Sequence, residues 1–418
     1  MATNSLIRGK SNVDGPIDND PPPDGGIRAW TVVAMCHVVG FNTWGFLSSF
    51  GVLQSFYVAH LGQPPSEISW IGSVQGFMLF FFSAFSGRLS DAGYFHQTLF
   101  VGTALLILGV FSASVATNYW QLLLSQGVCV GIGGGLIFIP ALSLVATYFI
   151  KRRSLALSIC ACGNSVGGLF YAAILQNVLP KLGIGWALRI IGLVFVATLI
   201  PANFFLKPRR IKRSKGPIVE WSAFKEPPYA FFAGGMFLWM LGMWVPVFYL
   251  GSFAKDRISI DTKNAATLLL IINGVGVAGR VVPALLAPTI GPMNLLIPLT
   301  FISGLILLCW AGVNSYAGLV AFDVFYGILI GAAQGMLPPS LGSLTSDLSK
   351  MGVRMGMIFS LLGFAILIGN PLAGALITTD HGKYLSAQMF AGTSMIAGVA
   401  LLVAARIARV GWKLFVLI

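Results

Sequence analysis

Charge is what this 418-residue chain has least of: Lys, Arg, Asp and Glu together make up 9% of it, and the acids number only 13. Soluble domains carry about 25% charged residues, so there is too little charge here to cover a soluble surface. Histidine is scarce too, with His37, His60, His96 and His381 scattered along the chain. No paired carboxylates, no His/Asp/Glu cluster and no phosphate loop with its lysine occur. That removes the side-chain sets that hydrolytic, metal-dependent and nucleotide-dependent enzymes need. The run Gly131-Ile132-Gly133-Gly134-Gly135 lies inside an apolar stretch rather than after a strand, so it is not a dinucleotide loop. The five cysteines (Cys36, Cys129, Cys160, Cys162, Cys309) all fall in apolar runs, and Cys160 and Cys162 lack the two-residue spacing usual for metal or redox pairs. They read as buried thiols, and no cofactor or metal is implied. A cleavable signal peptide is also missing: residues 1–26 are polar, with Asp14, Asp18, Asp20, Asp24 and Pro21-Pro22-Pro23. That composition predicts a disordered tail.

What is there is hydrophobic. The chain is 56% apolar, with a mean hydropathy of +0.84. Apolar runs of about 20 residues recur along nearly the whole length, which predicts an all-α polytopic membrane protein. Strands of a membrane barrel would be about 10 residues of alternating polarity, a pattern not seen. Twelve spans are expected, near 29–58, 68–90, 97–117, 119–149, 154–179, 184–206, 229–253, 264–288, 292–313, 316–346, 353–377 and 386–408. The domain plan is a cytoplasmic tail (1–28), a six-helix bundle (29–206), a basic linker (207–228), a second six-helix bundle (229–408) and a short tail (409–418).

An internal repeat supports two related halves. Gly127, Gly131 and Gly135 form a four-residue ladder, and Gly327, Gly331 and Gly335 repeat it 200 residues later. Ser143/Ser343, Leu144/Leu344 and Gly163/Gly363 share that offset. Four-residue spacing puts each ladder on one helical face, where a second helix can approach closely. The ladders fall in spans 4 and 10, equivalent places in two pseudo-symmetric six-helix bundles.

The net charge of +13 is explained by topology rather than by nucleic-acid binding. With both termini cytoplasmic, 19 Lys and Arg fall on inner segments and 6 on outer ones, leaving Arg280 within a span. The basic run from Lys207 to Lys215 reads as an inner-face anchor, able to meet anionic headgroups.

The motifs resemble the major facilitator superfamily, and within it the fungal branch of the monocarboxylate-porter family. Asp24-Gly25-Gly26-Ile27-Arg28-Ala29-Trp30 is similar to that family's opening signature, with Ile27 where an aromatic is common. Tyr148-Phe149-Ile150-Lys151-Arg152-Arg153, followed by Ala156, Gly163 and Gly167, resembles its basic-loop signature. Phe224-Lys225-Glu226-Pro227-Pro228-Tyr229, Pro246-Val247-Phe248-Tyr249, and Asn273 with Gly279-Arg280 and Pro283 continue the series. The resemblance implies twelve transmembrane helices and transport by alternating access. Two departures qualify it. The loop Gly87-Arg88-Leu89-Ser90-Asp91-Ala92-Gly93 lacks the basics that usually follow, and its second-half counterpart Ala287-Pro288-Thr289 has proline where an acid is typical. Ser48 and Gly276 also stand where the animal members carry a lysine and an aspartate. The proton-coupled lactate mechanism of those members is therefore not carried over whole.

Arg280 is the sharpest candidate site residue. A guanidinium within a span usually faces the bundle interior or a water-filled cavity, and it can clamp a carboxylate in a bidentate fork. The resemblance places a substrate-binding arginine here as well; snorkelling to the inner headgroups is the alternative. Asn273, two turns before it, and Asn42 in span 1 are the other substrate-binding candidates, while Asn164, Gln75 and Gln334 are further polar groups able to line a cavity. Asp323 and His37 are the proton-coupling candidates. Arg88 and Asp91 are candidates for a gate latch at the inner end of span 2. Trp44, Trp239, Trp244, Phe46, Phe248 and Tyr249 offer an aromatic wall for an amphipathic substrate. Arg280 has no counterpart 200 residues earlier, where Phe80 and Phe81 stand.

The expected function is secondary transport of a small organic anion or amphipathic metabolite by a single chain, as efflux from a fungal biosynthetic pathway. Proton-coupled uptake of a small monocarboxylate is the alternative within the class, and an ion channel the alternative outside it. The expected location is the plasma membrane, with the vacuolar membrane as the other choice.

Overall fold

The computed structural model describes residues 23–150, 152–209, 219–345, 350–413 and 416–417, without the side chains of Asp91 and Ser154. A chain in lipid has no water to satisfy its backbone, so long apolar segments close their hydrogen bonds as helices. Eleven helices among the described residues are long and apolar enough to cross a membrane. One of them, Leu155–Phe205, has 51 residues, about 76 Å at 1.5 Å per residue. That is over twice the bilayer core. It folds back at Gly183, whose φ of 75° is open to glycine without steric cost. The rings of Tyr171 and Phe195, equidistant in sequence from Gly183, lie 5.7 Å apart. A continuous helix would separate them by about 36 Å. This helix is therefore two spans, and the described residues make twelve crossings.

In chain order the spans are span 1 (Gly26–Leu61), span 2 (Pro65–Leu89), span 3 (Ala92–Ala113), span 4 (Tyr119–Tyr148), spans 5 and 6 (Leu155–Phe205), span 7 (Pro227–Ile258), span 8 (Thr262–Ile290), span 9 (Pro292–Gly312), span 10 (Tyr316–Leu344), span 11 (Met351–Thr379) and span 12 (Leu385–Val410). Prolines in the first turn start spans 2, 7 and 9, where a missing N–H costs nothing. Span 1 begins at Gly26, so the first helix reaches into the segment expected as tail; residues 1–22 lie outside the described residues. Span 7 likewise starts at Pro227, ahead of the expected 229, and span 12 runs to Val410. Most of the basic run falls in 210–218, outside the described residues. Large apolar side chains such as Phe100, Leu108, Leu193, Phe204 and Phe325 point outward, as lipid-facing positions do. Cys36, Cys160 and Cys162 are buried, but Cys309 is exposed on the end of span 9, contrary to its expected burial.

Both glycine ladders are packing surfaces. A Cβ on Gly127, Gly131 or Gly135 would meet the backbone of Ile71, Gln75 or Leu79 on span 2. On span 10, Gly327, Gly331 and Gly335 face Ile272, Gly276 and Arg280 on span 8. The partner residues also step by four and are offset by 201, so span 4 sits on span 2 as span 10 sits on span 8. The packing counterpart of Arg280 is thus Leu79 rather than Phe80. The symmetry is broken at Leu123–Val130, which is π-helical in span 4, whereas span 10 is regular.

Spans 1 and 7 are both interrupted near their middles, at Ser49 and at Trp244. Span 2 packs on span 11 through Phe77, Phe80 and Gly363, and span 5 on span 8 through Gly168 and Asn273, which joins the halves. On the face away from the linker, Ser55 Oγ lies 3.2 Å from Ser252 Oγ, and Gln176 Nε2 donates to Lys263 O (2.8 Å) and Thr267 Oγ1 (2.9 Å). Tyr249 OH donates to Asn370 O at 3.0 Å and reaches Pro65 O at 3.4 Å. Toward the linker face the contact is apolar, with Phe80 5.2 Å from Phe359 and Ala84 against Gly356.

The linker ends in an ionic cluster. Buried Arg354 at the start of span 11 donates to Glu220 Oε2 (3.1 Å) and to both oxygens of Glu226 (2.8 and 2.5 Å). Lys350 Nζ adds a bond to Glu220 Oε1 at 2.9 Å. Hydrogen bonds from Arg354, then from Lys350, pull the Glu220 carboxyl down to about 2.

Candidate functional site

A small cavity of about 20 Å³, little more than room for one water molecule, lies between the halves. That is far below the roughly 300–1,000 Å³ of small-molecule sites, so the halves must part before an organic substrate fits. Its lining comes from five spans: Ser48 from span 1, Ser165 from span 5, Met243, Trp244 and Val247 from span 7, Ile272, Asn273, Gly276 and Arg280 from span 8, and Gly327, Ile330 and Gln334 from span 10. Ser48 and Trp244 stand at the interruptions of spans 1 and 7. There the helices bend and bring side chains to the axis between the halves.

Arg280 is 8% exposed and is held by three neutral groups. Nη1 donates to Ser165 Oγ of the other half and to Gly276 O at 3.1 Å, while Nη2 donates to Gln334 Oε1 at 2.5 Å. Gln334 Nε2 in turn meets Met243 Sδ at 3.2 Å, which fixes the amide orientation. Among the described residues no carboxylate pairs with Arg280. A buried cation without a counter-charge is costly, and an anion entering the cavity would neutralise it. The glycine ladder makes this placement possible. Gly331 lets span 10 lie close enough for Gln334 to reach the guanidinium.

Asn273 lines the same cavity: its Nδ2 donates to Leu269 O at 2.8 Å, and its Oδ1 lies against Gly168. Asn42 is elsewhere. It is fully buried inside the first half, where its Nδ2 donates to Val38 O and Thr198 Oγ1 and its Oδ1 accepts from Tyr171 OH at 2.6 Å. All its hydrogen-bonding capacity is spent tying spans 1, 5 and 6 together. His37 Nδ1 lies 2.7 Å from Ile159 O, a tie between spans 1 and 5. Asp323 is completely buried on span 10, and neither oxygen has a hydrogen-bond partner among the described residues. It sits eleven positions before Gln334, about 16 Å along the axis toward the face away from the linker. Arg88 is half-buried at the linker-side end of span 2; Asp91 follows it in the turn that kinks at Gly93 (φ 98°), its side chain outside what is described.

The structure therefore brings Arg280, Asn273 and Gln334 together and leaves Asn42, His37, Asp323 and Arg88 outside the cavity. Sequence reading missed Ser165 as the cross-half partner of Arg280. Its one signal is a hydroxyl among the small residues Gly163, Gly167 and Gly168, which mark a face of close helix approach. It also missed the pairing of Glu220 and Glu226 with Arg354, because the partners lie more than 120 residues apart.

Comparison with known proteins fits this architecture. The family model described as Major Facilitator Superfamily matches residues 33–370. An MFS-type transporter of Gibberella zeae is 43% identical over 395 residues, covering 94% of this chain and 90% of that protein. MFS-type transporter dbaD of Emericella nidulans is 36% identical over 385 residues, covering 91% and 87%. The aspyridones efflux protein apdF of the same species is 33% identical over 384 residues, covering 91% and 78%.

Proposed function

Because the chain belongs to the major facilitator superfamily, we propose that it is a secondary carrier that exports an anionic organic metabolite from a fungal cell, with Arg280 as the anion-binding group. The observation that carries this reading is a buried guanidinium, in a cavity between the halves, bonded only to neutral partners. Ser165 and Gln334 come from different halves, so an anion seated on Arg280 touches both and couples binding to their rocking. Asn273 lies two turns along the same helix and supplies a neutral polar contact.

Ser48 and Gly276 line the cavity where charged groups of the animal monocarboxylate porters are expected. A site with one cation and an apolar wall suits a larger amphipathic monoanion better than lactate. The name of the aspyridones efflux relative supports export as the direction. Within this reading the carrier is of the monocarboxylate-porter type, sits in the plasma membrane and has its linker face in the cytoplasm, in line with the 19-to-6 excess of basic residues. Asp323 is the proton-carrying group: a fully buried carboxyl in a helix interface is costly when charged and can gain or lose a proton as that interface opens.

The test is uptake into proteoliposomes with labelled organic acids at imposed pH gradients of both signs. Saturable flux that follows the gradient supports a carrier. Unsaturable conductance would support a channel.

A further inference from the structure

Trp44 and Trp244 stand 200 residues apart, the same offset as the glycine ladders. One belongs to each half, and their indoles stack where the halves meet, with centroids 6.1 Å apart and planes inclined by 22°. Phe80 lies 4.7 Å from Trp44, and Phe248 lies 6.4 Å from Trp244. The two indoles are 7% and 4% exposed. A buried indole N–H normally finds an acceptor. Trp239, on the same span as Trp244, donates to Ser303 Oγ at 3.1 Å. Neither Trp44 Nε1 nor Trp244 Nε1 has an acceptor among the described residues. Trp310 shares that state, but it lies at the end of span 9 and is not part of the cavity. Trp244 lines the cavity that holds Arg280. The cavity therefore presents a cation and the face of Trp244, with Trp44 stacked on that indole and both N–H groups buried and unused beside it.

We propose that the Trp44–Trp244 pair is a substrate subsite that selects a planar conjugated ring carrying a neutral oxygen acceptor, a carbonyl or phenolic hydroxyl, in addition to its anionic group. This rests on the reading of Arg280 as the anion-binding group. Rocking parts the two indoles, since one moves with each half, and a flat ring entering between them replaces the lost aromatic contact. The ring's oxygen takes an indole N–H while the anionic group sits on Arg280. A saturated ring supplies neither the stacking face nor the acceptor. The pair thus sets which anions are carried, whereas Arg280 sets that they are anions.

The experiment measures equilibrium binding and counterflow in proteoliposomes with three probes: a set of hydroxynaphthoates, 2-naphthoate and a saturated bicyclic carboxylate. Wild-type protein is expected to prefer a hydroxynaphthoate over 2-naphthoate, and 2-naphthoate over the saturated acid. Trp244→Phe keeps a ring and removes the donor, so the hydroxyl preference should shrink about 3- to 10-fold while the aromatic preference stays. Trp244→Leu should lose both. Trp44→Phe should act as Trp244→Phe does, and thermal unfolding confirms that each variant is folded. Absence of any aromatic preference in the wild type, or an unchanged hydroxyl preference in folded Trp244→Phe and Trp44→Phe, overturns the subsite. If Arg280→Ala still abolishes binding of all three probes in that case, the carrier reading stands alone. If Arg280→Ala binds them like the wild type, the carrier reading fails on its own account.

Discussion

Gly331 of span 10 lies against Gly276 of span 8 so closely that a Cβ on Gly331 would stand 2.7 Å from the Gly276 carbonyl oxygen. That same carbonyl accepts a hydrogen bond from Arg280 Nη1 at 3.1 Å. The glycine repeat is thus more than a scaffold. In the second half it positions the single cation of the cavity, while the equivalent contact in the first half, Gly131 on Gln75, serves packing.

This contact predicts a graded response along the ladder. Gly331→Ala drives a methyl into backbone and should cost about 1–3 kcal/mol, with loss of anion binding as Arg280 shifts. A Cβ on Gly335 would meet Arg280 O at 3.6 Å, an ordinary contact. Gly335→Ala should therefore stay within about 0.5 kcal/mol of wild type. Thermal unfolding in detergent, paired with binding, measures both.

The Glu220–Arg354 cluster predicts an acid-side loss of stability. Glu220 is pulled from 4.5 to about 2 in the folded protein. Its contribution is fully present above about pH 4.5 and disappears as pH falls toward 2. Glu220→Gln should be less stable than wild type at pH 7, and the gap should close on acidification. Arg354→Leu leaves Glu220 with Lys350 alone and removes the hydrogen bonds to half-exposed Glu226, and should cost about 1–3 kcal/mol. Unfolding midpoints across pH 2–7 test both signs.

Asn42 and Asn273 should separate. Asn42→Leu breaks a tie among spans 1, 5 and 6 and should lower stability by about 0.6–2 kcal/mol, with substrate affinity unchanged in the folded fraction. Asn273→Leu should weaken substrate binding several-fold with a smaller effect on stability. Binding isotherms corrected for folded fraction distinguish them.

Asp323→Asn should keep substrate exchange at equal pH and lose the response of net flux to a pH gradient. Loss of exchange in a folded variant, or a retained gradient response, would remove Asp323 from proton coupling.

Much of the fold was legible because lipid imposes one rule on every span: apolar length and helix. The ladders at 127–135 and 327–335 revealed the halves, since four-residue spacing maps directly onto a helix face. The turn at Gly183 was legible as a break between spans 5 and 6. Site membership was less so. Arg280 stood out because charge is rare in a span, and Asn273 followed by helical register. Asn42 and His37 looked equally polar, but register on one helix does not say which neighbour that face meets; span 5 meets it, with Tyr171 and Ile159. Ser165 and the Glu226–Arg354 pair depend on contacts between distant segments, which no local pattern encodes.

The central claim is that Arg280 binds the transported anion. Counterflow of a labelled organic anion in proteoliposomes, compared between wild type, Arg280→Lys and Arg280→Ala at matched amounts of folded protein, tests it most directly. Arg280→Ala is expected to abolish saturable counterflow, and Arg280→Lys to retain a weakened one, because the charge remains without the bidentate fork. Wild-type counterflow from folded Arg280→Ala would contradict the account.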